Sequence, residues 1–263
     1  MSLASQPRPQ AADTTQALGL SVSELADFQR QGYLLKRGLY SRQLIDQLRI
    51  EVDNLHAREH AQPTPGAWTS WEQNLPEGRA PKIRQLMNSE VVSPIIDAMS
   101  RSEEMLSIMR QLIGPDLYLY HSKLMMKAAH DGTFTPWHQD FGYWHFDLSE
   151  PTQINCMLAI DPADDGNGAV RMVSGSHLDG LVTHQHFQSD SFSLGLAGDL
   201  SAYPSVLIDM EPGDGLFFGP LIIHGSGPNT SDRDRRANTF AFDKSGNRKA
   251  GVLDPKQHRS GSL

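Results

Sequence analysis

The feature that most constrains the fold is a change in hydrophobic spacing near Pro115. Before this residue, apolar side chains recur at three- to four-residue intervals, which is typical of amphipathic helices. After it, short apolar segments are separated by turns rich in Gly, Asp and Pro, with no helical pattern between them. These segments are residues 117–127, 134–138, 153–160, 169–173, 206–210, 215–218, 221–224 and 237–242. Such a series predicts an antiparallel, cupin-like jelly roll, also called a double-stranded β-helix.

The chain before Pro115 predicts helices that pack outside this barrel. Ser21 and Glu24 are spaced as a capping box, in which each side chain satisfies a free helix amide. Three further helices should begin after serines that cap them, at Ser41, Ser93 and Ser102. Residues 60–81 lose the helical pattern and include two tryptophans. We predict a loop there, either as a pocket wall or as a segment packed on the core.

The predicted fold class is therefore mainly β with α, a jelly roll with packed N-terminal helices. Residues 1–20 are rich in small and polar side chains and predict a flexible tail. Residues 21–263 predict a single domain, with a helical part at 21–114 and a jelly-roll core at 115–245.

Composition restricts the partners and the compartment. The net charge of −8 argues against a nucleic-acid or anionic-membrane partner. Cys156 is the only cysteine, so an internal disulfide is impossible and a reducing compartment fits. No apolar run approaches the roughly 18 residues of a membrane span, and the first 20 residues lack a signal-peptide core. We predict a cytoplasmic protein that acts on a small molecule.

His138 and Asp140 form the strongest chemical signal in the chain. Residues two apart on a strand point to the same face, so the imidazole and the carboxylate should converge, as a divalent metal requires. His224 is the best candidate for a third ligand. Two histidines and one carboxylate form a facial triad, which leaves three positions on Fe(II) for a cosubstrate and O2. The alternative is a chance pair together with a histidine satisfied in the core.

Arg235 follows His224 by eleven residues and should point into the barrel from the next strand. Its planar guanidinium can bind a carboxylate through two parallel hydrogen bonds. A buried arginine without a partner would be costly, and a bound dicarboxylate would satisfy it. Ser226 could add a hydroxyl to the same carboxylate. The alternative is pairing with neighbouring aspartates on a solvated loop, which we accept for Arg233 but not for Arg235.

Four separated motifs resemble those of the phytanoyl-CoA dioxygenase family of Fe(II)- and 2-oxoglutarate-dependent oxygenases. They are His138-Gln139-Asp140, Gly175-Ser176-His177, Pro212-Gly213-Asp214, and His224-Gly225-Ser226-Gly227-Pro228-Asn229 followed by Arg235. Their order and spacing match along residues 117–242. The resemblance implies that the two histidines and the aspartate of the triad bind iron. It also implies that Arg235 and Ser226 hold the distal carboxylate of 2-oxoglutarate.

The resemblance extends to two residues outside these motifs. It places a 2-oxoglutarate contact near Lys123, which shares a strand face with Lys127; exposed strand lysines are the alternative. The aromatic run at 137–145 is similar to that of ectoine hydroxylase members, in which the aromatic residue six after the first ligand lines the cosubstrate pocket. Trp144 holds this position, and plain core packing is the alternative.

The implied activity is hydroxylation of an unactivated C–H bond, with O2 consumed and 2-oxoglutarate converted to succinate and CO2. Halogenating relatives need a small residue where Asp140 stands, so the carboxylate favours hydroxylation, desaturation or ring formation. The net negative charge argues against an acyl-CoA substrate, because the phosphates of CoA would require a basic surface. It favours a small polar substrate, such as an amino acid derivative or a natural-product intermediate. Past His145 the sequence departs from the ectoine hydroxylase pattern. The alternative function is a cupin-like protein that binds a metal or ligand without oxygenase chemistry.

Overall fold

The computed structural model describes residues 18–72, 75, 77–78, 80–186, 194–197 and 201–250. Helices dominate the first part of the chain and strands the second. The helices are α1 (Val22–Gln31), α2 (Arg42–Ala61), α3 (Ser89–Val92), α4 (Pro94–Ser100), α5 (Glu103–Ile113) and α6 (Phe141–Trp144), with 3-10 turns at Asp165–Asn167 and Ser176–Asp179. The strands are β1 (Tyr33–Lys36), β2 (Trp68–Trp71), β3 (Ile83–Met87), β4 (Leu117–Lys127), β5 (Thr135–His138), β6 (Ile154–Ala159), β7 (Val170–Met172), β8 (Gln185–His186), β9 (Leu194–Gly195), β10 (Val206–Leu207), β11 (Gly215–Phe218), β12 (His224–Ser226) and β13 (Arg235–Lys244).

Two antiparallel sheets make up the barrel. The large sheet has the strand order β1-β11-β6-β13-β4-β3-β2, and the small sheet has the order β10-β7-β12-β5. Strands β8 and β9 form a separate two-stranded antiparallel sheet. Side chains from both sheets line one cavity, so the two sheets face each other as in a jelly roll. The predicted fold class, mainly β with packed N-terminal helices, is confirmed.

The helices form because their capping and apolar spacing agree. Ser21 and Glu24 make the predicted capping box, with Ser21 N donating to Glu24 Oε2 over 2.7 Å and Glu24 N donating to Ser21 Oγ over 3.2 Å. Helix α1 ends at Gly32, which adopts the left-handed conformation with φ of 82°. Helix α2 buries the residues whose spacing predicted it, in one cluster with phenylalanines of the large sheet: Ile45, Leu48, Val52, Leu55, Phe217 and Phe240. This cluster holds the helices against the outer face of the large sheet.

Several sequence predictions differ from the structure. The strand predicted at 206–210 is limited to Val206–Leu207, and helix α6 lies between two strands where no helix was predicted. The loop predicted at 60–81 contains β2, which pairs with β3 at the edge of the large sheet. The ring of Trp71 lies edge-on to His56 and His60 of α2, at 6.2 and 5.5 Å between centroids, so this tryptophan packs on the core. The strand predicted at 221–224 instead begins at His224, because the preceding residues form a turn in which Ile222 N donates to Gly219 O.

The predicted division into tail and domain stays a prediction. Residues 1–17 of the tail lie outside the described residues. Leu20, at its end, is buried, and its N–H donates to Gln111 Oε1 over 2.6 Å. Among the helices that are described, none has the length and apolarity needed to cross a lipid bilayer.

Candidate metal centre and its cavity

The two histidines of the predicted triad lie side by side on adjacent strands of the small sheet. His138 ends β5 and pairs in register with His224, the first residue of β12. Asp140 follows in a helical turn at φ of −60°, so it lies just beyond the strand on which the i, i+2 argument placed it. Its Oδ1 lies 3.5 Å from His138 Nε2, and its Oδ2 lies 3.9 Å from His224 Nε2. The three ligand atoms all lie within 4.8 Å of one another.

Backbone contacts set the imidazole tautomers. The Nδ1 atoms of His138 and His224 lie 2.9 and 3.1 Å from the carbonyl oxygens of Pro136 and Ile222. A carbonyl only accepts, so each Nδ1 carries the proton and each Nε2 lone pair faces the other ligands. Burial, together with the nearby His138, lowers the pKa of His224 to about 4, so this ring is neutral at pH 7.

The carboxylate of Asp140 is ionised despite its burial. Burial by itself would raise the pKa of Asp140, but His224, His138 and the ammonium of Lys123 hold it below its usual range. Two imidazole nitrogens and one carboxylate aimed at one point form a donor set that suits Fe(II). These three residues are therefore able to hold a divalent iron.

A cavity between the two sheets extends from this centre. Six of the seven predicted site residues line it: His138, Asp140, His224, Ser226, Arg235 and Lys123. Apolar walls come from both sheets, at Met125, Met157, Val170 and Phe218. The cavity is thus polar at the triad and at its basic residues, and apolar between them.

Arg235 is the most informative polar group in the lining. Its side chain is buried, and among the described residues its guanidinium makes one hydrogen bond, from Nη2 to the Gly168 carbonyl oxygen over 3.1 Å. Within the described part of the chain, Nε has no hydrogen-bond partner and no carboxylate lies at ion-pair distance. Burial lowers the pKa of Arg235 to about 10, so it remains charged at neutral pH. Arg233, in contrast, is exposed and pairs with Asp164 over 2.7 Å, whereas the sequence analysis expected one of its neighbouring aspartates as the partner.

Lys127 and Trp144 lie away from the cavity. Lys127 Nζ donates to the carbonyl oxygens of Thr133 and Gly227, each over 2.6 Å, and so connects the segments before β5 and after β12. Trp144 lies on α6, where its ring contacts Tyr120 and His121 at centroid distances of 5.7 and 5.4 Å. The structure therefore places Trp144 in a small aromatic cluster, and the cavity lining does not include it.

Sequence reasoning missed three residues that shape the site. Thr239 pairs in register with Lys123 and lines the cavity with a buried hydroxyl that has no partner among the described residues. Asn155 donates from Nδ2 to Asp140 Oδ2 over 2.8 Å. His184 accepts the backbone N–H of Gln139 over 2.9 Å, between the two metal ligands. The only sequence signal for Thr239 is its strand parity with Arg235.

The fold and the donor set together define a class of protein, the jelly-roll oxygenases that use a mononuclear non-haem iron. A family model described as "Phytanoyl-CoA dioxygenase (PhyH)" matches residues 28–237. This chain belongs to the phytanoyl-CoA dioxygenase family. It is an oxygenase that depends on Fe(II), 2-oxoglutarate and O2.

Characterised relatives resemble most of the chain. An ectoine dioxygenase of Bordetella parapertussis is 25% identical over 238 residues, which cover 84% of this chain and 74% of the relative. An L-proline trans-4-hydroxylase of Streptomyces griseoviridis is 28% identical over 200 residues, covering 69% and 74%. The crystal structure of EctD from S. alaskensis with 2-oxoglutarate and 5-hydroxyectoine superimposes with a TM-score of 0.72 at 20% identity, over 95% of this chain and 86% of the other. This last likeness shows a shared fold.

Proposed function

We propose that His138, Asp140 and His224 are the iron ligands and that Arg235, with Ser226 and Lys123, binds 2-oxoglutarate. One observation supports this proposal most directly. The buried guanidinium of Arg235, whose Nε has no hydrogen-bond partner among the described residues, lines the same cavity as the convergent triad. A dicarboxylate with one end bound at the triad could form hydrogen bonds to the guanidinium through its other end. Trp144 is not part of the proposal, because its contacts lie in the aromatic cluster.

The residues of this chain bind and orient, while bound iron supplies the O2 chemistry that oxidises 2-oxoglutarate to succinate and CO2 and hydroxylates the substrate. Arg235 offers a planar fork to the distal carboxylate, and the Ser226 hydroxyl supports it. The apolar walls keep water from the cavity, which strengthens these charge contacts. The ionised Asp140 occupies the place that a halide would need, so hydroxylation is favoured over halogenation.

The substrate that we propose is a small polar molecule that carries an anionic group, such as an amino acid derivative or a natural-product intermediate. Two relatives are named for ectoine and L-proline, which supports the size and polarity. The charge balance supports the anionic group. Iron and the two basic residues carry four positive charges by our count, and Asp140 with 2-oxoglutarate carries three negative ones, so one positive charge is left over. We also propose a cytoplasmic location, which the single buried cysteine supports.

Anaerobic titration with 2-oxoglutarate tests the assigned residues. Protein reconstituted with Fe(II) should develop the weak visible charge-transfer band of an iron chelate as 2-oxoglutarate binds. Arg235→Ala should shift this titration to at least about tenfold higher 2-oxoglutarate, because a charge-assisted hydrogen bond contributes about 1.5–3 kcal/mol. Arg233→Ala is the matched control, since that arginine pairs with Asp164 on the surface. No band with iron bound, or identical titrations for both variants, would contradict the assignment.

A further inference from the structure

Asn155 makes a contact with the candidate centre that the proposed ligand set does not use. This residue is 1% exposed and lies on β6, in the middle of the large sheet. It pairs in register with Phe218 of β11 on one side and with Ala241 of β13 on the other. Its Nδ2 donates to Asp140 Oδ2 over 2.8 Å. A short side chain on a strand that is bonded on both sides is a rigid donor.

The hydrogen bond makes the two oxygens of Asp140 different. Oδ2 accepts a hydrogen bond from the amide N–H of Asn155 and lies 3.9 Å from His224 Nε2, whereas Oδ1 lies closer to a ligand nitrogen, 3.5 Å from His138 Nε2, and accepts no bond from Asn155. A carboxylate on a flexible Cβ–Cγ bond could otherwise exchange its oxygens or offer both of them to one cation. Burial removes the water that would normally hydrate the second oxygen, so the amide is its fixed partner.

We propose that Asn155 is a positioning residue that holds Asp140 Oδ2 and thereby limits Asp140 to binding iron through Oδ1 alone. A carboxylate bound through one oxygen leaves three coordination positions for a chelating cosubstrate and O2. A carboxylate bound through both oxygens would fill one of these positions. This inference rests on the proposed function, because it takes Asp140 as an iron ligand.

The residue type fits this role. An amide N–H donates to a carboxylate without adding charge, and it cannot become a competing anionic ligand. A second carboxylate at this position would repel Asp140 and bind the cation itself. The neighbouring cavity residue on the same strand, Met157, offers no donor. Asn155 therefore supplies the hydrogen bond from β6 to the metal centre.

The test uses Co(II) as a probe for Fe(II), because its visible spectrum reports the number and arrangement of ligands. Asn155→Leu keeps the number and branching of the side-chain heavy atoms and removes the donor. We expect its Co(II) dissociation constant to rise about 10- to 100-fold, as for other residues that orient metal ligands. We also expect the spectrum of the Co(II) and 2-oxoglutarate complex to change in shape and intensity. Asn155→Ala leaves room for a water that can donate in place of the amide, so its changes should be smaller.

Asn238→Ala is the matched control. Asn238 is as buried as Asn155, but it lies on the neighbouring β13 and its Oδ1 accepts from Ser89 Oγ over 2.7 Å, away from the cavity. Its loss should lower stability and leave both the Co(II) affinity and the spectrum at wild-type values. Such a result would separate a role at the metal from a general role in the core.

Two outcomes would overturn the inference in distinguishable ways. A folded Asn155→Leu protein with a wild-type spectrum and a dissociation constant within about twofold of wild type would remove Asn155 from this role. If Asn155→Leu does not fold, the same criterion decides when applied to Asn155→Val, which also removes the donor and leaves less room for a water than Asn155→Ala does. Wild-type Co(II) affinity in Asp140→Ala would instead overturn the proposed ligand set, and with it the basis of this inference.

Discussion

Two basic side chains face the candidate centre from adjacent strands of the large sheet, and their surroundings differ. Arg235 is buried at one end of β13, where its guanidinium donates to a backbone carbonyl and its Nε has no partner in the part of the chain that the structure describes. Lys123 stands opposite Thr239 on β4, close enough to Asp140 to lower the pKa of that carboxyl. Arg235 is thus placed for the far end of a dicarboxylate, and Lys123 lies nearer to the metal ligands.

The proposed role of Lys123 predicts a change in cosubstrate binding. Lys123→Met keeps the length of the side chain and removes its charge, so the 2-oxoglutarate concentration at half-saturation should rise about tenfold. The anaerobic charge-transfer titration measures this value. Lys244→Met, at the exposed end of β13, should leave it unchanged. If Lys123→Met leaves 2-oxoglutarate binding unchanged and raises only the KM of the substrate, the lysine belongs to the substrate site.

The proposed ligand His224 predicts a loss of metal binding. His224→Ala removes one of the two imidazole nitrogens that converge on Asp140, so iron retained after reconstitution and desalting should fall from about one equivalent to a small fraction. His56→Ala is the control, because His56 lies on α2 and its Nε2 accepts the backbone N–H of Ile83 over 3.3 Å, away from the cavity. Metal analysis that finds full iron occupancy in His224→Ala would contradict the triad.

At the scale of elements, the segment that carries two of the proposed ligands is fixed by the residue between them. The side chain of Gln139 is fully buried and donates to the carbonyl oxygens of Gly180 and Leu221, over 2.8 and 2.7 Å. It also accepts the N–H of Val182 over 2.8 Å. One side chain thus connects the turn after β5 with the segment that leads to β8 and with the turn that leads to β12.

Gln139→Ala should therefore destabilise the fold. The substitution removes three hydrogen bonds to half-buried backbone groups, and each typically contributes about 1 kcal/mol. Urea unfolding should show a loss of at least about 2 kcal/mol, whereas Gln29→Ala, on the exposed side of α1, should change stability by less than about 0.5 kcal/mol. Equal unfolding midpoints for the two variants would show that the Gln139 contacts add little.

What the sequence predicts well is set by local spacing. The long strand β4, the short strand β11 and the capped helix α1 follow from alternation or capping within single segments. Local spacing also makes the pair His138 and Asp140 visible. Asn155 and Thr239 acquire their roles only through the register of β6 and β13 with their neighbours, which a single sequence does not contain. Strand β2 was missed because four residues at a sheet edge show no clear alternation.

At the scale of the whole molecule, the helical layer and the cavity share the large sheet. Cys156 lies on β6, fully buried in the cluster that joins this sheet to α2. Asn155, its neighbour in the chain, contacts the candidate metal centre on the opposite face. The outer core and the cavity therefore lie on opposite faces of strand β6. Ligand binding in the cavity should thus stabilise the helical layer as well.

The single thiol allows this coupling to be measured. Burial raises the pKa of Cys156 far above its ordinary value, so the native thiol is protonated as well as inaccessible. An aromatic disulfide reagent at pH 8 should therefore label the protein only when it unfolds, and labelling should follow the urea unfolding curve. A combination of Co(II) and 2-oxoglutarate at 100 times its apparent dissociation constant should stabilise the native state by about 2.7 kcal/mol and slow labelling about 100-fold. Cys156→Ser should give no labelling signal. Fast labelling in the absence of urea would contradict the burial of this thiol. A labelling rate that is the same with and without the ligands would mean that the helical layer opens independently of the cavity.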